Sequence, residues 1–200
     1  MSEERPQEFP AELRPALVRR EPEALARFFD FYFDRVFAYV QRLVGDEHLA
    51  EDLTQDVFVN VQRALPMYDS KRDPRPWVFA IATNRLRDHW RARGVEAMGS
   101  GGANVEQDEL AQLLPAPEVA PDGDLARTEL ADRVRHAIER LPEGLRATVL
   151  LRAFEGLSFA EIGRIVERDE VAVRKRYSRA LGLLRGSLGD AWRTQAEGSR

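Results

Sequence analysis

The chain of 200 residues is 44% hydrophobic, which suffices for one or two compact cores, and it contains no cysteine. Disulfides and thiolate metal sites are therefore excluded, and a reducing compartment fits the composition. No apolar run approaches the length that spans a bilayer, and the N-terminus has no apolar signal segment. We therefore expect a cytoplasmic protein without membrane insertion.

The net charge of −4 is unevenly distributed along the chain. Residues 1–20 are neutral overall, residues 21–69 sum to −6 and residues 94–124 to −7, whereas residues 70–93 sum to +5 and residues 125–200 to +4. A nucleic-acid binder is usually basic throughout. We therefore expect two basic surfaces within an acidic molecule, which should bind free DNA poorly unless a partner covers its acidic parts.

The first third of the chain predicts a leader and two helices. Residues 1–20 are polar and contain three prolines, which indicates a disordered leader. Apolar residues then recur at three- and four-residue steps from Pro22 to Gly45, which predicts a core helix. A second helix is predicted from about Asp46 to Leu65, and its outer face carries paired acids and an amide. Such a face is either merely solvated or docks on a basic protein surface.

The strongest signal lies between Pro76 and Arg93, where a proline in a first-turn position opens a third helix. A polar stripe follows helical spacing there, at Asn84, Arg87, Asp88 and Arg91, with Trp77 on the same side. An amide, guanidiniums and an aromatic ring on one face suit base edges, phosphates and stacked bases. A solvated face with salt bridges is the alternative. The preceding loop, residues 66–76, adds three basic residues.

Residues 94–124 contain seven acids, no lysine or arginine, and repeated Gly, Ala and Pro, which predicts a flexible acidic linker. A second domain is predicted over residues 125–188, followed by a tail, residues 189–200. One helix spans about residues 125–140 and another extends through Phe154. Two further helices flank a tight turn at residues 167–169, and the second of them is basic near its start. This is typical of a helix-turn-helix, and a plain helical hairpin is the alternative.

The predicted fold is therefore all-α, with two small helical domains joined by a flexible acidic linker, the second domain being a helix-turn-helix domain. The chain shows no metal-ligand set, phosphate-cradling glycine loop or Ser/His/Asp constellation. The three histidines are scattered, at His48, His89 and His136. We therefore expect neither a cofactor nor a catalytic function.

Three stretches in one order resemble a known family: AEDLTQDVF from residue 50, PWVFAIATNRLRDHWR from residue 76, and LPEGLRATVLLRAFEGLSFAEIGRIV from residue 141. They resemble the bacterial RNA polymerase sigma factors of the extracytoplasmic-function (ECF) group. The resemblance covers about residues 22–93 and 125–188. It implies an alternative sigma factor, a non-catalytic subunit that binds core RNA polymerase, directs it to specific promoters and promotes DNA opening.

The resemblance also implies three groups of site residues. Docking on the clamp helices of the polymerase largest subunit is implied for Glu51, Asp52, Gln55, Asp56 and Phe58. Capture and melting of the promoter −10 element is implied for Tyr68, Asp69, Ser70, Lys71, Arg72, Trp77, Asn84, Arg85, Arg87, Asp88 and Arg91. Recognition of the −35 element as duplex is implied for Arg146, Val171, Arg174, Lys175, Arg176, Ser178 and Arg179. The implied partners are core polymerase (through the clamp helices and, for the second domain, the flap region), promoter DNA and an anti-sigma factor.

The turn at residues 167–169 departs from the family pattern. The family usually has a small residue followed by an apolar one, and then a threonine early in the recognition helix, where this chain has Glu167, Arg168 and Ala172. Ala172 lacks a hydroxyl that could hold a phosphate, whereas Asp169 can still cap the helix. Recognition of the −35 element is therefore either retained or weakened.

Two other functions remain open at this point. One is a stand-alone helix-turn-helix regulator whose first domain serves dimerisation, although the acidic total and the acidic linker argue against it. The other is a nucleic-acid enzyme, for which the sequence offers no catalytic constellation.

Overall fold

The computed structural model of the protein describes the backbone of residues 8–94 and 124–197, with side chains for residues 8–94 and 132–189. Within these ranges the chain is helical and contains no strand, so the all-α prediction is confirmed. The first domain comprises α1 (Arg14–Val18), α2 (Pro22–Val44), α3 (Glu47–Ala64) and α4 (Pro74–Ala92), with 3₁₀ turns at Ala11–Leu13 and Leu65–Met67. The second comprises α5 (Asp124–Glu139), α6 (Glu143–Val149), a π-helical segment (Leu150–Phe154), α7 (Phe159–Val166) and α8 (Glu170–Glu197). The predicted acidic linker lies outside the described residues except at its ends.

Glycine and aspartate residues set the helix boundaries of the first domain. α2 ends at Gly45, whose φ of 74° lies in the left-handed region that favours glycine. The carboxylate of Asp46 caps α3 by accepting the N–H of Leu49 at 2.9 Å. Asp73 caps α4, and the proline that opens this helix is Pro74. The helix therefore begins two residues earlier than the sequence predicts, since Pro76 lies inside its first turn.

The helix-turn-helix forms as predicted at its start and differs from the prediction at its end. Ser158 and Glu161 form the expected capping box at the start of α7. Asp169 caps α8 by accepting the N–H of Ala172 at 2.7 Å. α8 then continues to Glu197, so the prediction that the helix ends near residue 188 and leaves a separate tail is wrong.

The turn between α7 and α8 is tight and strained. A Cβ atom on Gly163 would lie 2.6 Å from the backbone carbonyl oxygen of Arg168, so the turn closes only over a glycine at this position. Glu167 has φ 55° and ψ 49°, a left-handed conformation. For a residue with a Cβ atom this conformation costs about 1–2 kcal/mol. Glycine or asparagine is the usual choice where a helix ends in this way.

One hydrophobic core runs through both domains. In the first domain it contains large, fully buried side chains such as Tyr32, Leu53 and Phe79. Leu151 and Ile162 of the second domain belong to the same cluster. α4 packs against α7, and α2 packs against α6, so the second domain rests directly on the first.

The segment before α2 is part of this core. Phe9 is 1% exposed, its ring meets the ring of Phe28 edge-on at 5.4 Å between centroids, and Leu17 is fully buried. The Arg14 guanidinium donates to the Phe9 carbonyl at 3.1 Å. The prediction of a disordered leader over residues 1–20 is therefore wrong from residue 9 to residue 18, and residues 1–7 lie outside the described residues. Phe9, Leu13 and Leu17 do recur at helical spacing, but the segment is short and is interrupted by prolines, which favours the interpretation as a leader.

Candidate nucleic-acid interface

The polar stripe predicted on α4 is present, and its members differ in exposure. Asn84, Asp88 and Arg91 are exposed, whereas only 11% of the Arg87 side chain is exposed. The opposite side of the helix is fully buried, at Val78, Ala82 and Leu86. This burial fixes the rotation of α4 about its axis, so the stripe is presented rigidly from the first domain.

Arg87 is engaged by the second domain. Its Nη1 donates to Glu167 Oε1 at 2.7 Å and to Asn84 Oδ1 at 3.1 Å, and its Nη2 donates to the Ile165 carbonyl at 3.2 Å. A guanidinium in this position offers a fork of donors that fits a carboxylate or a phosphate equally well. Here Nη1 is taken by the Glu167 carboxylate together with Asn84, and Nη2 is taken by the Ile165 carbonyl.

The loop before α4 is a compact turn built around Tyr68. Its ring lies 4.9 Å from the Trp77 ring between centroids, and its hydroxyl donates to the Arg72 carbonyl. Burial raises the pKa of Tyr68 to about 12. Asp69 accepts the N–H of Lys71 at 3.1 Å and so tightens the turn. The loop residues of the prediction therefore differ in accessibility, because Lys71 and Arg72 are exposed whereas Tyr68 is buried.

The remaining loop and stripe residues of the prediction are neither fully exposed nor fully buried. Ser70 and Trp77 are both half-buried. Arg85 is also half-buried, and it donates to a single oxygen, Oδ2, of Asp56 on α3, from Nε at 3.0 Å and from Nη2 at 2.7 Å. This pair joins the acidic face of α3 to the polar stripe of α4.

The acidic face of α3 is exposed along its length, at Glu51, Asp52, Gln55 and Asp56. Phe58, for which the family resemblance implies a docking role, is only 8% exposed. Its ring packs between Phe29 and Phe33 of α2, with centroid distances of 4.9 and 5.8 Å. Phe58 therefore supports the acidic face from below, and its side chain is not part of the exposed surface.

The predicted reading face of α8 is exposed and basic. Val171 is 62% exposed, and the other exposed members are Arg174, Lys175, Ser178 and Arg179. Arg176 differs, because burial lowers its pKa, with the neighbouring charge of Arg168 acting in the same direction. The face thus retains three exposed cations near the start of the helix.

Arg146 does not lie on that face. Its guanidinium donates to the carbonyls of Arg42 at 3.0 Å and Leu141 at 3.0 Å, and also to the Glu139 carbonyl. Burial lowers the pKa of Arg146, although Glu143 favours its charged form. The family resemblance implies a DNA contact for Arg146, whereas in this structure its donors join α6 to the end of α2.

A largely buried ion pair between the domains was not predicted from the sequence. Glu155 is 8% exposed at its side chain, and its Oε2 accepts from Arg35 Nε at 3.0 Å and from Nη2 at 2.5 Å. Arg75 Nη1 donates to the Glu155 carbonyl at 3.0 Å. Burial raises the pKa of Glu155 against the opposing effect of Arg35. Because the paired residues are far apart in the chain, no local pattern indicates them.

Within the part of the chain that the structure describes, no group of three or more acidic or histidine side chains is arranged to hold a metal ion. None of the helices described combines the length and apolar composition that membrane crossing requires.

Comparison with known proteins assigns the two domains. The family model of sigma-70 region 2 matches residues 28–95, and that of sigma-70 region 4 matches residues 131–184. The chain is 30% identical to the RNA polymerase sigma-H factor of Pseudomonas aeruginosa over 173 residues, which cover 82% of this chain and 88% of that protein. It is 28% identical to the ECF RNA polymerase sigma factor SigW of Bacillus subtilis over 171 residues, covering 85% of this chain and 91% of that protein.

A solved structure of the sigma factor RpoE with the anti-sigma factor NepR from Bartonella quintana shares the fold. Its TM-score is 0.60 at 22% identity, and the match covers 82% of this chain and 96% of that chain. Since both region models match in the expected order and a relative at 30% identity is covered over most of its length, the chain belongs to the sigma-70 family, in the extracytoplasmic-function group of RNA polymerase sigma factors.

Proposed function

We propose that this chain is an alternative sigma factor that binds core RNA polymerase, directs it to a subset of promoters and promotes opening of the DNA. The observation that carries the proposal is the adjacency of two exposed surfaces, the acidic face of α3 and the polar stripe of α4, joined by the Asp56–Arg85 pair. A subunit with this function has no catalysis of its own and works in the cytoplasm, beside the polymerase.

The acidic face of α3 is the proposed docking surface for the clamp helices of the largest subunit. Glu51, Asp52 and Asp56 supply charge complementary to a basic partner, and Gln55 supplies an amide between them. Phe58 holds α3 against α2 and thereby keeps this face in position.

The proposed −10 surface combines the loop rim with the α4 stripe. Lys71 and Arg72 offer exposed charge for the DNA backbone, Asn84 offers a base-reading amide, and Trp77 offers a ring for stacking. Stacking on an aromatic ring is worth about 1–3 kcal/mol per base. Because flipping a base costs a few kcal/mol, captured bases offset much of the local cost of melting.

The exposed face of α8 is the proposed −35 reading surface, with Arg174, Lys175 and Arg179 as its cations. A helix-turn-helix places such a helix in the major groove. We propose no DNA contact for Arg146, since its donors are used within the protein. Contact of the second domain with the polymerase flap and control by an anti-sigma factor stay predictions from the family resemblance.

In vitro transcription tests the proposal. Purified protein is combined with sigma-free core polymerase on fragmented genomic DNA from the source organism, and transcript starts are sequenced. We expect starts that share an upstream two-part motif and disappear without the protein. A shared −10 motif without a −35 motif would show that the altered turn weakens the second domain. Starts that do not depend on the protein would contradict the proposal, and tight polymerase-independent binding to duplex DNA would favour the stand-alone regulator.

A further inference from the structure

The second domain is fastened to the first at a buried site and at a capped helix end. At the first site, Arg35 and Arg75 of the first domain both bind Glu155, one through its carboxylate and the other through its carbonyl. At the second, Arg146 donates to the carbonyls of Arg42 and Leu43 at the end of α2, at 3.0 and 3.4 Å. Guanidiniums satisfy otherwise unpaired carbonyls here, so these contacts act as the structural base of the closed arrangement.

A third contact lies at the proposed −10 surface itself. Arg87, a member of the α4 stripe, is covered by Glu167 and by the Ile165 carbonyl at the end of α7. Its neighbours Asp88 and Arg91 on the stripe remain exposed. The second domain therefore removes one cation from the surface that would face the DNA backbone.

The geometry of the turn does not explain why residue 167 is a glutamate. Its backbone is in the left-handed conformation that glycine adopts without strain. Its carboxylate reaches out of the second domain to Arg87, at 2.7 Å. A strained residue whose side chain makes a contact in another domain indicates a function for that contact, because local stability alone would select a different residue.

We propose that Glu167 acts as an internal competitor of promoter DNA. The pair Arg87–Glu167, which we call the interdomain latch, adds to the shared core and the Glu155 site in holding the second domain over the −10 surface. It also occupies a guanidinium that would otherwise meet a DNA phosphate. Carboxylate and phosphate compete for the same fork of donors, so only one of them occupies Arg87 at a time. In this closed arrangement Arg87 is therefore unavailable to a DNA phosphate, and it becomes available only when the latch opens. The inference rests on the proposed function for the identity of the competing ligand, whereas closure by the latch stands independently.

Distance measurements on the full chain test closure. The chain contains no cysteine, so Gln62→Cys on α3 and Ser187→Cys on α8 introduce a single pair of spin labels. Both positions are exposed and lie outside the proposed interfaces. We expect a short-distance population for the otherwise unchanged chain and growth of a long-distance population on Glu167→Gly. Because glycine relieves the left-handed strain, the thermal midpoint should not fall, which separates opening from unfolding.

A matched control and a charge swap sharpen the test. Glu170 pairs with Arg174 within α8, so Glu170→Gln removes a carboxylate nearby without touching the latch and should leave the distances unchanged. Arg87→Glu should open the chain, and combining it with Glu167→Arg should restore the short distance. If Glu167→Gly leaves the distances unchanged, or if the swap does not restore them, the latch does not hold the domains together.

Competition with DNA is tested by transcription from a promoter identified with the unchanged protein. The sigma concentration that gives half-maximal transcription should fall about two- to fivefold for Glu167→Gly. Loss of an exposed ion pair should raise the fraction of the protein in which Arg87 is available to DNA by about this factor. Longer distances without this fall would overturn the competition. If no form of the protein supports transcription, the proposed function fails, while the distances still decide whether the latch exists.

Discussion

Asn84 presents its amide to solvent from the middle of α4, while its Oδ1 accepts a hydrogen bond from Arg87 at 3.1 Å. A well-placed amide–base contact is worth about 1–3 kcal/mol. Asn84→Ala should therefore lower the yield of open complex about tenfold, and it should leave binding to core polymerase unchanged. Permanganate reactivity of the melted strand measures the first quantity, and titration of labelled protein with core polymerase measures the second. Loss of polymerase binding would instead show that Asn84 supports docking or the fold.

Ionisation of Glu143, at the start of α6, lowers the stability of the folded protein as the pH rises past neutrality. Burial raises its pKa to about 7 against the effect of Arg146, whereas its ordinary value is 4.5. The folded protein therefore holds the proton more tightly than the unfolded chain does. The stability that this proton contributes is complete below pH 4.5, falls as the pH rises to about 7 and is lost above that pH.

Glu143→Gln removes this dependence because glutamine does not ionise. We expect the thermal midpoint to rise by a few degrees at pH 8, since 1 kcal/mol moves the midpoint of a chain of this size by about 2–4 °C. The gain should be smaller at pH 5, where the folded protein already holds the proton. Thermal melts followed by circular dichroism at the two pH values measure the difference. An equal gain at both would show that burial of the carboxyl does not control its ionisation.

At the scale of elements, the turn between α7 and α8 depends on the absence of one side chain. A Cβ atom at residue 163 would lie 2.6 Å from the Arg168 carbonyl oxygen, which is backbone and cannot move without opening the turn. Gly163→Ala should lower the free energy of unfolding by about 1–3 kcal/mol, the usual cost of overpacking. Gly186→Ala is the matched control, because a Cβ there meets no atom within 4 Å. The control variant Gly186→Ala should stabilise the protein by about 0.5–1 kcal/mol, as expected for alanine in a helix interior. Urea titrations of both variants measure these differences in the free energy of unfolding.

The outer face of α3 is the element that the proposed function assigns to polymerase. Asp52 and Gln55 are both exposed there, and changing both to alanine should weaken binding to core polymerase about tenfold without changing the thermal midpoint. Gln62→Ala, on an exposed turn of the same helix, is the control and should have no effect. Unchanged affinity of the double variant would mean that the docking surface lies elsewhere.

Features that depend on residues close in the chain could be predicted from the sequence, whereas features that depend on packing between separate helices could not. The capping box at Ser158, the helix stop at Gly45 and the polar stripe of α4 are readable because each depends on neighbours within a turn or two. The burial of Phe58 and the engagement of Arg146 depend on contacts with α2 that lie beyond the reach of local sequence patterns. The same distinction explains why the family was identified correctly while the burial and partners of individual site residues were not predicted.

At the scale of the whole molecule, the two domains share one core and a buried ion pair, so they should unfold together. Glu155 is the link, since its carboxylate is nearly inaccessible and bound by Arg35, whose side chain is 22% exposed. Removing one partner of a buried pair leaves the other charge desolvated and uncompensated, at a cost of about 3–5 kcal/mol when both are fully buried. Because Arg35 retains some access to water, the lower end of this range applies.

Glu155→Gln should therefore weaken the joint between the domains more than it weakens either domain. Differential scanning calorimetry of the unchanged protein should show one cooperative transition, and the variant should show two, with the earlier one at a lower temperature. Asp132→Asn is the control, because its pair with Arg135 is half exposed and lies within α5, where such a pair contributes at most about 1 kcal/mol. A single transition that merely shifts in the Glu155 variant would mean that the shared apolar core, and not the ion pair, couples the domains. In that case opening of the molecule on the polymerase must separate apolar surfaces, and the latch at Arg87 would contribute only a minor part of the closing free energy.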